Sequence, residues 1–189
     1  MNIILMGYRG TGKSTAGLAL AALLGYSFTD TDVLIRRRTG QTVEQIVAAG
    51  GWEAFRAAER TAVVEAAGTD GAVVALGGGA ILDPRNVAAL RAKGFFVWLT
   101  AEAATIVSRL EKDLAGGAQR PSLSGRPVTD EVTGILAERE PIYRACADLA
   151  VDTTNRTATE VAAAIRAALE ARQAKVEPVG GEVAGAKEG

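Results

Sequence analysis

The chain of 189 residues contains no histidine and one cysteine, Cys146. The first absence removes Ser-His-Asp chemistry, Cys-His chemistry and most zinc sites, and leaves carboxylates as the main proton acceptors. The second excludes an intramolecular disulfide and makes a reducing, cytoplasmic compartment the default, with Cys146 itself read as a small buried hydrophobe. No excess of either charge exists: 21 Lys and Arg stand against 22 Asp and Glu, interspersed along the chain. That balance gives no nucleic-acid or membrane-surface footprint, so a small molecule is the expected partner. No apolar run approaches the ~20 residues that a membrane-spanning helix needs, and the first one is too short for a secretion signal. The expectation is a soluble cytoplasmic monomer with no nucleic-acid or membrane partner.

Glycine, by contrast, is plentiful at 22 residues, and its placement is informative. Residues 7–14 read Gly-Tyr-Arg-Gly-Thr-Gly-Lys-Ser, a complete G-x-x-x-x-G-K-[ST] phosphate-binding loop. Its glycines allow consecutive N–H groups to converge on phosphate oxygens, Lys13 can reach the β- and γ-phosphates, and the Ser14 hydroxyl can ligate Mg²⁺. The context matches. Asn2 to Met6 is an apolar run suited to a buried strand, and Ser14 to Leu24 reads as a helix whose N-terminus faces the site.

Beyond the loop, alternating apolar strands and Ala-rich helices point to a single α/β domain over residues 1–174. Asp30-Thr-Asp32 leaves a strand at its C-terminal end, where doubly wound sheets bind ligands. With both carboxylates on one extended segment, one is expected to face a metal and the other an acceptor. Helices are expected over Val33–Arg38, over Thr42–Ala49 with Gly50-Gly51 as terminator, and over Trp52–Ala67. Ala72 to Leu76 is an unbroken apolar strand that empties into Gly77-Gly78-Gly79, three residues with no Cβ to block close approach of a ligand. Asp83-Pro84 is an N-cap followed by proline at the first helical position. The Gly- and Pro-rich segment 115–127 reads as a mobile lid, and 175–189 as a disordered tail.

Taken together, these motifs resemble the shikimate kinase family from Met1 to about Arg172. The resemblance rests on the loop through Thr15, Asp30-Thr-Asp32, Gly51…Phe55-Arg56…Glu59, Leu76-Gly-Gly-Gly-Ala80, Arg120-Pro121, Arg139…Pro141-Ile-Tyr143 and Asp152…Arg156. It implies a three-layer fold of the nucleoside-monophosphate-kinase type, a five-stranded parallel sheet flanked by helices. It also implies Mg²⁺-dependent transfer of phosphate from ATP to the 3-hydroxyl of shikimate. By the same resemblance Gly10, Thr11, Gly12, Lys13, Ser14, Thr15, Arg120 and Arg156 bind ATP, and Ser14 and Asp30 hold Mg²⁺. Asp32, Arg56, Gly78, Gly79 and Arg139 bind shikimate, and Lys13, Asp32 and Arg120 serve catalysis. Arginine forks suit the planar carboxylate of such an acceptor, and phosphoryl transfer needs positioning and charge neutralisation more than a strong base. Trp52 stands where family members typically carry Glu, and Ala75 where some carry a small hydroxyl residue. A gluconate or nucleoside-monophosphate kinase is the nearest rival, favoured less by the triple glycine and Phe55-Arg56. A GTP-driven switch lacks its guanine-reading Asn-Lys-x-Asp here.

Overall fold

The computed structural model describes residues 1–115 and 128–176. The sheet has five parallel strands, β1 (Asn2–Met6), β2 (Ser27–Asp30), β3 (Ala72–Ala75), β4 (Gly94–Thr100) and β5 (Leu149–Asp152), in the order β2-β3-β1-β4-β5. The helices between them are α1 (Lys13–Leu24), α2 (Thr31–Thr39), α3 (Val43–Gly68), α4 (Pro84–Arg91), α5 (Ala103–Ala115), α6 (Val128–Cys146) and α7 (Ala158–Val176). The expected α/β class and five-stranded parallel sheet are what is found. The lid segment, with Arg120, lies outside the described residues except for Ala115, which ends α5; the tail beyond Val176 lies outside them too.

Because side chains alternate along a strand, β1 feeds two cores. Ile3 and Leu5 pack with Leu20 of α1 and Ile165 of α7 on one face. Ile4 and Met6 pack with Val63 of α3, Leu90 of α4 and Tyr143 of α6 on the other. All five β1 residues are buried, which explains the unbroken apolar run from Ile3 to Met6 with no polar alternation. As β1 lies between β3 and β4, the chain winds first to one side of it and then to the other. The crevice beyond the strands' C-terminal ends therefore opens where the phosphate loop leaves β1.

Three local expectations need correction. The helices flanking Gly50-Gly51 run on as one path bent at Gly51, where φ is 71° and ψ −177°. A Thr42–Gln45 capping box opens that path. Asp30 and Asp32 do not share an extended segment: Asp30 ends β2 and caps α2 by accepting from the Asp32 and Val33 amides, while Asp32 already lies in the first helical turn. Cys146 is only partly buried, at the end of α6.

Candidate active site

The phosphate loop occupies the turn between β1 and α1, and glycines at positive φ (Gly10 at 78°, Gly12 at 86°) let it wind there. Lys13 is buried and lies back along the loop, its Nζ donating to the carbonyls of Gly7 at 2.9 Å and Tyr8 at 2.8 Å. Ser14 Oγ donates to Asp30 Oδ2 at 2.6 Å. Asp30 divides its work: Oδ1 caps α2 and Oδ2 faces the serine. Two hard oxygen donors thus meet at the mouth of the loop, a donor type that suits Mg²⁺.

A cleft of ≈ 820 Å³ runs from this point across the sheet edge, within the usual size range of small-ligand sites. It is lined by the loop residues Gly10 to Thr15, by Asp30 and Asp32, and further out by Arg109, Asp113, Thr153 and Arg156. Every expected nucleotide-binding residue within the described chain therefore borders one cavity. Arg109 was not singled out by the sequence. It donates to Gly10 O and to both the hydroxyl and the carbonyl of Thr153, tying α5 to the loop and to the segment after β5.

A smaller pocket of ≈ 80 Å³ adjoins the cleft. Asp32, Arg56, Gly77, Gly78, Gly79 and Arg139 line it, with Val43, Trp52 and Phe55 supplying an apolar side. The glycines are there for the side chains as much as for a ligand. A Cβ on Gly77 would lie 2.7 Å from Asp32 Oδ1, and one on Gly79 would lie 2.5 Å from the Arg56 guanidinium. Gly78 O accepts from Tyr143 OH at 2.5 Å and Arg139 Nη1 at 3.3 Å, which fixes α6 against the turn after β3. Burial pushes the Tyr143 hydroxyl up to about 12, so it stays a donor.

Glu59, one turn after Arg56 on α3, accepts from its Nη1 at 2.6 Å and is 1% exposed. Burial raises its pKa above the ordinary carboxylate value, against the lowering effect of Arg56; Asp32 raises it further. Glu59 Oε1 and Arg139 Nε are both buried without a hydrogen-bond partner. Since buried polar atoms are nearly always satisfied, an orphan acceptor and an orphan donor bordering one small pocket mark it as a place for a polar ligand.

Arg9, at a variable position of the loop motif, lines both cavities and pairs with the buried Glu131 of α6. No signal in the sequence pointed to that pair, because it joins residues more than a hundred positions apart. Among the described residues no cluster of three or more His, Cys, Asp or Glu could hold a metal, and no helix is long and apolar enough to cross a membrane.

The family model for shikimate kinase matches residues 9–170. A shikimate kinase from Syntrophus aciditrophicus is 45% identical over 168 residues, covering 85% of this chain and 86% of the relative. A shikimate kinase 2 from an Enterobacter species is 41% identical over 169 residues, covering 88% and 96%. Among solved structures, a shikimate kinase from Acinetobacter baumannii in complex with shikimate superposes with a TM-score of 0.85 at 32% identity, covering 91% of this chain and 94% of that one. One from Aquifex aeolicus gives 0.77 at 26% identity, covering 92% and 98%.

Proposed function

This chain belongs to the shikimate kinase family, and from that premise we propose that it transfers the γ-phosphoryl group of ATP to the 3-hydroxyl of shikimate, giving shikimate 3-phosphate and ADP on the route to chorismate and the aromatic amino acids. One observation carries the reading. Arg9, Asp32 and Gly78 line both the nucleotide cleft and the two-arginine pocket, so an acceptor in the second lies beside the end of a triphosphate in the first.

On this reading each group has a defined task. The acceptor's carboxylate is gripped by Arg56 and Arg139, whose forks match a planar anion. Asp32 orients the ring hydroxyls, and the reacting hydroxyl oxygen attacks phosphorus as its proton passes to that carboxylate. The bond from the γ-phosphorus to the bridging oxygen breaks, and the electron pair leaves on ADP. Lys13 exchanges its two loop carbonyls for phosphate oxygens and offsets charge on the group in transfer. Ser14 and Asp30 would hold Mg²⁺, which when bound supplies further neutralisation of the phosphates. Arg156 borders the outer cleft where the adenosine would lie. Arg120 is assigned to the ATP phosphates from the segment outside the described residues.

The test is ADP release with ATP, Mg²⁺ and a panel of acceptors. Shikimate should turn over while gluconate and AMP remain essentially untouched; comparable release with gluconate overturns the assignment. Lys13→Ala should lower kcat by orders of magnitude, and Asp32→Ala should damage shikimate use while leaving ATP binding largely intact.

A further inference from the structure

Thr153 follows β5 and is 2% exposed. Its amide donates to Thr100 O at 2.9 Å, which continues the sheet. Its hydroxyl oxygen is 3.1 Å from Thr11 O and 3.0 Å from Thr100 O, and accepts from Arg109 Nη1 at 3.1 Å. Arg109 in turn donates to Gly10 O at 3.2 Å. The one Thr153 hydroxyl proton is shared between Thr11 O and Thr100 O, and Arg109 donates to Gly10 O, so the carbonyls of two consecutive phosphate-loop residues are met from one side by groups that the loop motif does not contain.

The direction of those bonds matters. In a trans peptide the C=O and N–H point opposite ways, and among the described residues no peptide bond is cis. A Thr11 carbonyl drawn toward Thr153 turns the Gly12 N–H away from it, to the concave side where successive loop amides make an anion nest. Glycine itself does not enforce that orientation. Gly12 has φ 86°, and a residue without Cβ can let its preceding peptide rotate at little steric cost. Something outside the loop must hold the peptide, and a buried hydroxyl on a strand-anchored residue is suited to that.

We propose that Thr153 is a positioning residue of the phosphate site: its hydroxyl fixes the Thr11–Gly12 peptide so that the Gly12 N–H serves the β-phosphate of the nucleotide. This deepens the ATP part of the reading above and is independent of the acceptor. If the wild-type protein failed to bind ADP, the nucleotide reading itself would fall; if it bound ADP but not shikimate, only the acceptor assignment would.

The experiment compares ADP and AMP binding by calorimetry, with AMP read by competition, in wild type, Thr153→Val and Thr153→Ser. Valine keeps the shape and removes the hydroxyl; serine returns the hydroxyl without the methyl. The expected result is an ADP affinity about tenfold weaker in the valine variant, the loss of one well-placed hydrogen bond. AMP, with no β-phosphate, should change less than twofold, and serine should restore ADP binding. An equal loss for ADP and AMP, an unchanged ADP affinity, or no rescue by serine each overturns the proposal. Should the valine variant not fold, the wild type still decides. The Gly12 amide resonance must shift on adding ADP and much less on adding AMP, and equal or absent responses refute the role.

Discussion

Arg56 sits between a glutamate that holds it and a glycine that makes room for it, and both neighbours can be tested separately. Gly79→Ala would bring a methyl to 2.5 Å of the guanidinium, the mobile end of a long side chain. The protein can relieve that clash by moving Arg56, so stability should change little while the KM for shikimate rises about tenfold or more and the KM for ATP holds. Steady-state kinetics with a melting curve would check both halves. Truncation of Arg56 or Arg139 should weaken shikimate roughly ten- to a hundredfold, lysine should rescue poorly, and the variants should discriminate less than wild type between shikimate and its methyl ester. Glu59 gives a prediction of the opposite kind. Its folded pKa is raised, mainly by burial, so the folded state binds its proton more tightly than the unfolded state does. Stability from this group is therefore complete at low pH and is lost as pH climbs from the ordinary carboxylate value through the raised one. Glu59→Gln, which never ionises, should gain stability relative to wild type as pH rises from 4 to 8, read from urea midpoints, and should bind shikimate less well because Arg56 loses its anchor.

At the scale of elements, Gly51 and Asp83 show how a single residue sets an element's direction or start. The bend in α3 uses φ 71° with extended ψ, a region open essentially to glycine alone, and a Cβ there would meet no neighbour. Gly51→Ala thus isolates backbone strain of about 1–3 kcal/mol. It should lower Tm by about 3–10 °C by calorimetry, and it should raise the KM for shikimate because Trp52, Phe55 and Arg56 follow the bend. Asp83 caps α4 and is bound by the Arg85 side chain and amide, with Arg60 at longer range. The Arg85 side chain is the main cause of a carboxyl held down at about 2, against an unfolded value near 3.8. Its contribution is present above the unfolded value and disappears as pH falls toward 2, so Asp83→Asn should lack that part of the acid-induced loss in a urea titration between pH 5 and 2. Elements like these were mostly legible in the sequence. The buried strands announced themselves as apolar runs, Asp83-Pro84 as a cap, and the phosphate loop as a motif, because each depends on neighbours a few residues away. The bend at Gly51 was legible as a break but not as a continuation, since glycine pairs signal both. The helical start within Asp30-Thr-Asp32 was hidden because an Asp at the end of a strand can equally begin a helix. Arg9 with Glu131 and the Thr153–Arg109 ties were out of reach, for they join segments that only the folded sheet brings together.

Across the whole molecule, the two pockets share a rim to which α2 and α6 both contribute, but otherwise rest on different helices, the larger cleft on α1, α5 and α7 and the smaller pocket on α3. Ligand-induced stabilisation should therefore separate. At a hundredfold excess over Kd, ADP and shikimate should each contribute about 2.7 kcal/mol, or roughly 5–10 °C in Tm. Gly79→Ala should lose most of the shikimate shift at the same concentration and keep that of ADP. The position of β1 has a different consequence, in the time domain. The strand that finishes at the centre of the sheet leaves the ribosome first, yet its partners are Val73 to Ala75 on one side and Gly94 to Trp98 on the other. At about 5–20 residues per second, some ten seconds of synthesis pass before both are made. For that interval Ile3-Ile4-Leu5-Met6 is an apolar segment with no sheet to enter, a natural stop for a chaperone and a natural seed for aggregation. A strand wholly buried in the finished enzyme is the most vulnerable one while the enzyme is being born.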